Sequence, residues 1–144
     1  MAILTLTQEI DRPVDAVFVT ISDVGNFASW NPTIKASRAL EPGDPGNGMR
    51  YEWTLRGFGN VLQEIRDFEP DRGLRIVPLM RSMSGGHRFT LTDVGGRTRV
   101  DHKLEMTPKG SFKLMGPMMT STGRKNLSAT ADALKRYLER SDRG

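Results

Sequence analysis

The stretch that most constrains the fold of this chain lies near its C-terminus, between Gly116 and Arg140. Placed at about 100° per residue, it forms a helix with one small and apolar side. That side consists of Met119, Gly123, Leu127, Thr130, Ala131, Leu134, Tyr137 and Leu138. Pro117 suits the first helical turn, where its missing N–H costs nothing. A long helix with one apolar side needs a second layer to cover it, and the upstream sequence must provide that layer.

The apolar side of this predicted helix changes in character along its length. Its C-terminal half contains Leu and Tyr, whereas its N-terminal half contains Met, Gly and Thr, which fill space poorly. Met115 and Met119 belong to the N-terminal end, and Met adapts to ligands of varied shape. We therefore predict that the C-terminal half packs on a solid core and that the N-terminal half borders an opening. The alternative is that the methionines fill gaps in the core.

The upstream sequence is predicted to be mainly β-strand. Residues 2–11 alternate between apolar and polar side chains, as a half-buried strand does. Two short helices follow, the first after Pro13 and the second after Asp23, which is a favourable N-cap residue. Six further strands are predicted within residues 34–107. For the strand over residues 60–68, the sequence does not decide which side chains face inward. They are either Val61, Gln63 and Ile65, or Leu62, Glu64 and Phe68.

A hairpin is the most sharply predicted element of this sheet. Gly95-Gly96 separates two alternating segments, which is typical of a two-residue hairpin turn. Such a turn fixes the register and places three pairs on one face: His87 with Leu104, Phe89 with His102, and Leu91 with Val100. The opposite face carries mostly charged and hydroxyl side chains, so the register and the polarity pattern agree.

Composition excludes several classes of function. The chain has 144 residues, 37% hydrophobic and 26% charged, which fits one globular domain over residues 1–144. It has no Cys, which excludes disulfides, thiolate metal sites and Cys nucleophiles. The net charge of +4 comes without an aromatic and basic motif, so no specific nucleic-acid binding is expected. Without a long apolar run or a secretion signal, no membrane span is expected and the cytoplasm is the predicted location.

Several short motifs follow one another in a characteristic order along the chain. The opening motif contains Ile10, Pro13, Val17, Phe18, Asp23, Trp30, Asn31 and Pro32. A turn at Glu69-Pro70, the hairpin around Gly95-Gly96 and the final helix complete the set. Together these motifs resemble the START-like superfamily and, within it, the bacterial SRPBCC group of polyketide cyclase/dehydrase and lipid-transport proteins. The resemblance covers the whole chain.

The resemblance implies an α+β helix-grip fold, in which a curved seven-stranded antiparallel sheet wraps around the long C-terminal helix. It also implies two short helices after the first strand, and a cavity for a hydrophobic small molecule between the sheet and the long helix. The family includes carriers, plant-hormone and steroid binders, aromatase/cyclases and co-chaperone-like modules. The fold therefore does not choose among these functions.

Candidate chemistry is concentrated on the predicted inward faces of the strands. His87, His102 and Tyr51 are the candidate catalytic residues, because imidazole and phenol groups can move protons or polarise a carbonyl. The candidate ligand-binding residues combine aromatic or flexible apolar groups with a few polar tips. They are Tyr51, Trp53, Phe89, His102, Met115 and Met119. The alternative for each of them is ordinary packing in the core.

No metal site and no cofactor are predicted. His87 and His102 are diagonal neighbours in the predicted hairpin, but no convincing third ligand accompanies them. Asp101 precedes His102 in the sequence yet faces outward, so it cannot orient the imidazole. No Ser-His-Asp order, phosphate loop or nucleotide fingerprint is present.

Three functions remain open at the level of sequence. The first hypothesis is a binding or carrier protein for a hydrophobic small molecule of lipid- or polyketide-like character. The second is a polyketide cyclase or dehydratase that acts on a ligand in the same cavity, so whether the chain is an enzyme is left open. The third is a protein-interaction module whose basic helix face meets a partner. A hydrophobic small molecule is the expected partner, and a homodimer is left open.

Overall fold

A seven-stranded antiparallel sheet with the strand order β1-β7-β6-β5-β4-β3-β2 is the main element of the structure. The strands are β1 Ala2–Ile10, β2 Ile34–Ala39, β3 Arg50–Leu55, β4 Gly59–Glu69, β5 Gly73–Pro78, β6 Met83–Val94 and β7 Arg97–Pro108. The structure is a computed structural model that describes the backbone of residues 2–110 and 116–141 and the side chains of residues 3–110 and 120–140. Apart from β1 and β2, strands that follow one another in the chain are also neighbours in the sheet.

Within the described residues, three helical segments accompany the sheet. The helix α1 Val14–Ser22 and a 3₁₀ helix over Val24–Ser29 connect β1 to β2, and the long helix α2 Gly116–Ser141 follows β7. The predicted helix-grip fold is thereby confirmed. Asp23 occupies the N-cap position of the 3₁₀ helix, as predicted, but its backbone is not extended and its side chain makes no capping hydrogen bond. None of the described helices combines the length and the apolar character that a membrane crossing requires.

Hydrogen bonds between side chains and backbone hold α2 along β1, which is an edge strand. The side-chain amide of Gln8 donates to the carbonyl of Ala131 at 2.9 Å. The guanidinium of Arg12 donates to the carbonyl of Leu138 at 3.1 Å. The residue numbers increase in the same order on both sides of these two hydrogen bonds, so α2 runs in the same direction as β1. The C-terminal half of α2 therefore lies beside the end of that strand.

The apolar core divides into two clusters along α2. The main core takes Leu134 and Leu138 from the C-terminal half of α2 and joins them to the aromatic residues of the sheet and the 3₁₀ helix. The second cluster, called here the mouth-side cluster, consists of Leu104, Met106 and Leu127, with Leu4, Leu6 and Met83 packed against them. This division agrees with the prediction that the two halves of the helix pack differently.

The structure settles the inward face of β4 that the sequence left open. Leu62 is exposed, whereas the buried residues of β4 are Val61, Gln63 and Ile65. The β6–β7 pairing has the predicted register: His87 opposes Leu104, Phe89 opposes His102, and Leu91 opposes Val100. These residues belong to the inner face of the sheet, which is the face that α2 covers.

Candidate functional site

The two histidines of the chain lie side by side on the inner face of the sheet. Nδ1 of His87 is 2.8 Å from Nε2 of His102, which is a hydrogen-bond distance. The hairpin register makes the two residues diagonal neighbours on β6 and β7. The structure therefore brings two of the three candidate catalytic residues into direct contact. Within the described part of the chain, no third His, Asp or Glu side chain joins them to form a metal-binding group.

Burial keeps both imidazoles neutral at physiological pH. It lowers the pKa of His87 to about 4. Burial, and to a lesser extent the neighbouring His87, holds the pKa of His102 well below its ordinary value. A neutral imidazole has one N–H donor and one bare nitrogen that accepts. The pair can therefore donate and accept hydrogen bonds, but it carries no charge.

The other ring nitrogen of His102, Nδ1, has no partner among the residues that the structure describes. It is buried and makes no hydrogen bond to any described residue. Asp101 does not supply one, because it faces outward, as predicted, and accepts a hydrogen bond from the Thr7 hydroxyl at 2.7 Å. A buried polar atom without a partner costs about 1–3 kcal/mol. Such an atom in a native fold calls for a ligand or a water molecule as its partner.

A second buried polar atom of this kind belongs to Gln63 of β4. The residue is 4% exposed, and its Oε1 has no hydrogen-bond partner among the described residues. Gln63 opposes Tyr51 of β3, so both side chains share the inner face. The sequence analysis did not select Gln63 as a site residue, because it left two alternatives for the inward face of β4. The alternation of Val61 and Ile65 around a single polar residue was the pattern that could have found it.

Tyr51, the third candidate catalytic residue, lies farther along the inner face. Burial, and secondarily the carboxylate of Asp23, raises the pKa of Tyr51 to about 12. The phenol therefore stays protonated at neutral pH, where it can donate a hydrogen bond but cannot act as a base. Two strands, β4 and β5, separate its strand from that of His87.

Aromatic side chains connect the histidine pair to the main core. The ring of Phe89 stacks on that of His102, with 4.2 Å between the ring centroids. The ring of Trp53 lies 6.2 Å from that of His87. The indole N–H of Trp53 donates to the carbonyl of Val24 at 3.0 Å, so this donor is already satisfied within the protein. The indole N–H of Trp53 is therefore not free to bind a ligand.

Two grooves open on the surface near these residues. One of about 330 Å³ lies between β1 and α2 and is lined by Ile3, Leu4, Thr5, Leu6, Arg124 and Leu127. Leu6 directly opposes His102 in the β1–β7 register, so this groove lies beside the histidine pair. The other, of about 630 Å³, lies at the β4–β5 turn and reaches Phe89. Neither groove is lined by Tyr51, Trp53 or His102.

The N-terminal end of α2 is described only in part. Met115 lies outside the described residues, and Met119 lies in α2 at a position where the side chain is not described. Farther along the helix, Gly123 faces the side chains of Met106 and Leu4 in the mouth-side cluster. The predicted cavity between these methionines and the inner face of the sheet stays a prediction.

Comparison with known proteins identifies the family. Residues 1–139 match the family described as polyketide cyclase / dehydrase and lipid transport. The chain belongs to this family. The resemblance to the START-like superfamily inferred from the sequence motifs is thereby confirmed. No curated protein matches the sequence.

Solved structures show the same fold for this member of the polyketide cyclase / dehydrase and lipid transport family. A START superfamily protein from Mycobacterium smegmatis is 18% identical, with a TM-score of 0.79 over 96% of this chain and 97% of that chain. The Zhui aromatase/cyclase from Streptomyces sp. R1128 is 17% identical, with a TM-score of 0.76 over 96% and 94%. A norcoclaurine synthase from Thalictrum flavum is 13% identical, with a TM-score of 0.73 over 98% and 96%. At these identities the similarities establish the shared fold.

Proposed function

We propose that this protein binds a hydrophobic small molecule of lipid- or polyketide-like character between the sheet and α2, as a carrier or binding protein. The observation that carries the proposal is that two buried polar atoms on the inner face, Nδ1 of His102 and Oε1 of Gln63, have no partner among the described residues. Binding sites for small molecules are mostly apolar and contain a few polar groups that fix the orientation of the ligand. The family description, with its polyketide and lipid chemistry, supports the same class of ligand.

The mouth-side cluster supports the proposal by its composition. Met83 and Met106 are flexible side chains that can repack around ligands of different shape. Gly123 of α2 carries no side chain at the point where the helix meets Met106. In the proposed binding mode, the ligand enters through the groove between β1 and α2. It displaces the mouth-side cluster and leaves the main core intact.

A thermal-shift screen tests this proposal. The compounds are fatty acids, flavonoids, sterols and aromatic polyketides, each tested with the full chain. A ligand at about 100 times its dissociation constant stabilises a fold by about 2.7 kcal/mol. For a domain of this size that corresponds to a rise in melting temperature of roughly 5–11 °C. A screen in which no compound moves the melting temperature would contradict the proposal and favour the interaction-module hypothesis.

A matched pair of variants locates the binding region. Gly123→Leu places a side chain beside Met106 and Leu4, in the path of the proposed ligand. Ser121→Leu adds the same side chain at an exposed position of the same helix. Both variants should keep a cooperative melt. Gly123→Leu should lose the ligand-induced shift and Ser121→Leu should retain it, whereas equal shifts in both would place the ligand elsewhere.

A second candidate function is polyketide cyclase or dehydratase activity in the same region. The contact between His87 and His102 favours it, because a proton can pass from one ring to the other, although burial makes both rings weak bases. Tyr51 would act only as a proton donor. Under this alternative, His102→Phe should abolish turnover of a polyketide-like substrate while an apolar ligand still stabilises the fold. Ligand binding without turnover by the unmodified protein would support the carrier function.

The cytoplasm stays a prediction of the sequence analysis for the cellular location of the proposed carrier. The proposal places the ligand within one copy of the chain, so it does not require a homodimer. Light scattering coupled to size-exclusion chromatography, with and without ligand, would determine the oligomeric state.

A further inference from the structure

The two imidazoles are joined by one contact on the inner face of the sheet. Nδ1 of His87 and Nε2 of His102 contact each other at 2.8 Å, so each ring has one nitrogen left. The remaining nitrogen of His102, Nδ1, is buried and has no described partner. His87, at the other end, is partly exposed. Whatever occupies Nδ1 of His102 is therefore linked to His87 through a single hydrogen bond.

Counting protons shows what this link does. Two neutral imidazoles carry two protons on four nitrogens, and one proton lies in the hydrogen bond between the rings. If that proton belongs to His87, then His102 carries its own proton on Nδ1, which is a donor. If the shared proton belongs to His102, then Nδ1 of His102 is bare and accepts, and His87 carries its proton on Nε2. Both arrangements keep the rings neutral and keep the hydrogen bond between them.

The surroundings of the pair favour a neutral partner. Phe89 stacks on His102, with 4.2 Å between the ring centroids, and also lies 6.3 Å from the ring of His87. Leu6 and Leu104 oppose the two histidines in the strand register. Arg124 is the cation among the residues that line the groove between β1 and α2, and neither histidine lines that groove. A carboxylate brought to Nδ1 of His102 would therefore be buried without a counter-charge, which is costly.

We propose that the His87–His102 pair recognises a neutral hydroxyl or carbonyl group of the ligand at Nδ1 of His102, and that the pair exchanges tautomers to match whichever group is bound. This inference rests on the proposed function and names the chemical class of its ligand. The ligands of this class are apolar molecules with an uncharged hydroxyl or carbonyl group, such as phenols and ketones. His102 contacts the ligand, and His87 is a positioning residue that acts through His102.

A series of four naphthalenes tests the choice of ligand group. The probes are 2-naphthol, 2-acetylnaphthalene, 2-ethylnaphthalene and 2-naphthoate, and binding is measured by titration calorimetry at pH 7. The naphthol and the ketone should each bind roughly 5- to 100-fold more tightly than the ethyl compound, because they satisfy a buried polar atom. The naphthoate should bind no more tightly than the ethyl compound. In His102→Phe the four affinities should converge.

Nitrogen NMR of the unmodified protein tests the tautomer exchange. Long-range ¹⁵N–¹H spectra identify which nitrogen of each ring carries the proton. With 2-acetylnaphthalene, both histidines should carry the proton on Nδ1. With 2-naphthol, both should carry it on Nε2. The change at His87 is diagnostic, because His87 does not touch the ligand and a purely structural role would leave its tautomer unchanged.

The possible results separate this inference from the proposed function. If no naphthalene binds but the thermal-shift screen finds another ligand, the inference is wrong and the proposed function stands; if neither experiment finds a ligand, both fail. If the ethyl compound binds as well as the naphthol and the ketone, or the naphthoate binds most tightly, the proposed function stands and the inference is wrong. If His87 keeps one tautomer with both the naphthol and the ketone, the coupled exchange is wrong. Because the spectra use the unmodified protein, this test does not depend on whether His102→Phe folds.

Discussion

Single residues on the inside of this protein show two ways of burying a polar side chain. The amide of Asn31 is fully engaged: its Nδ2 donates to the Thr130 hydroxyl at 3.1 Å, and its Oδ1 accepts from the backbone and the hydroxyl of Thr33. Gln63 and His102 each leave one buried atom without a described partner. Structural stability accounts for the first arrangement. Under the proposed function, recognition of a ligand accounts for the second, because unpaired buried atoms lower the stability of the empty fold.

This contrast predicts opposite effects of removing two buried amides. Asn31→Leu should lower the free energy of unfolding by about 1–3 kcal/mol, because it leaves the hydrogen-bonding groups of Thr130 and Thr33 unpaired. Gln63→Leu should be nearly neutral or stabilising without ligand, because it removes an atom that has no partner. Chemical denaturation of both variants measures the difference. A similar loss in both would show that Gln63 is satisfied within the fold.

The histidine pair predicts a dependence of stability on pH. Because burial holds the pKa of His87 at about 4 and also lowers that of His102, the unfolded chain binds more protons than the fold below about pH 6.5. The contribution of the neutral histidines to the free energy of unfolding is therefore complete above that pH. It is lost as the pH falls toward 4. His87 alone should lower the free energy of unfolding by roughly 1–2 kcal/mol between pH 6.5 and 5, and His102 adds to this drop.

A double variant checks the origin of this drop. Replacing His87 and His102 together by Phe should flatten the dependence between pH 6.5 and 5, a range above the ordinary titration of most carboxylates. Denaturant titrations at each pH provide the measurement. If the double variant loses stability with the same slope as the unmodified protein, the histidines are not responsible.

Among the elements, the hairpin could be predicted in full and β4 could not. Gly95-Gly96 fixes the β6–β7 register locally, so the three inward pairs followed from the sequence and were confirmed. In β4, both faces carry apolar residues, and the correct face depends on the register with β3 and β5. That register involves a shift between Arg66 and Glu69, where the chain bulges. Gln63 was missed for this reason.

The helix α2 shows how far a single periodic pattern can lead. Its apolar side predicted burial of Leu127, Leu134 and Leu138, all of which are buried. The change from Leu to Met and Gly predicted a difference between the halves, and the core is divided accordingly. The pattern could not show what each half packs against, because that depends on the strands that approach it.

The two clusters along α2 predict different costs of truncation. Leu134→Ala should lower the free energy of unfolding by about 2–5 kcal/mol, because Leu134 lies in the main core with 1% of its surface exposed. Met106→Ala should cost clearly less, because flexible neighbours can refill the space, and it should tighten binding of large ligands. Thermal and chemical denaturation give the first comparison, and calorimetry gives the second. Equal losses of stability would mean that the helix packs on one continuous core.

For the molecule as a whole, the sequence was sufficient to predict the order and connectivity of the helices and strands. It was not sufficient to predict contacts between side chains that are distant in the chain. The element order and the family followed from motifs spread along the chain, such as Trp30-Asn31-Pro32 and the final helix. The bond from the Trp53 indole to the Val24 carbonyl joins residues that only the fold brings together. The 2.8 Å contact of the histidine rings likewise depends on side-chain rotamers, since the register alone places them as diagonal neighbours.

The divided core predicts that local stability is uneven across the molecule. Amides of residues 130–138 belong to the half of α2 that packs on the main core, whereas residues 120–127 adjoin the mouth-side cluster. Without ligand, the second group should exchange with solvent at least about tenfold faster than the first, since fewer buried contacts resist local opening. Both groups lie beyond the first turn of the helix, so fraying at its start does not explain a difference.

A saturating ligand should slow exchange in residues 120–127 and leave residues 130–138 nearly unchanged, and Gly123→Leu should abolish this response. Hydrogen exchange followed by NMR or mass spectrometry makes the measurement. If protection is uniform along α2 and does not change when ligand is added, the core opens as one unit and the mouth-side cluster is not where the ligand enters.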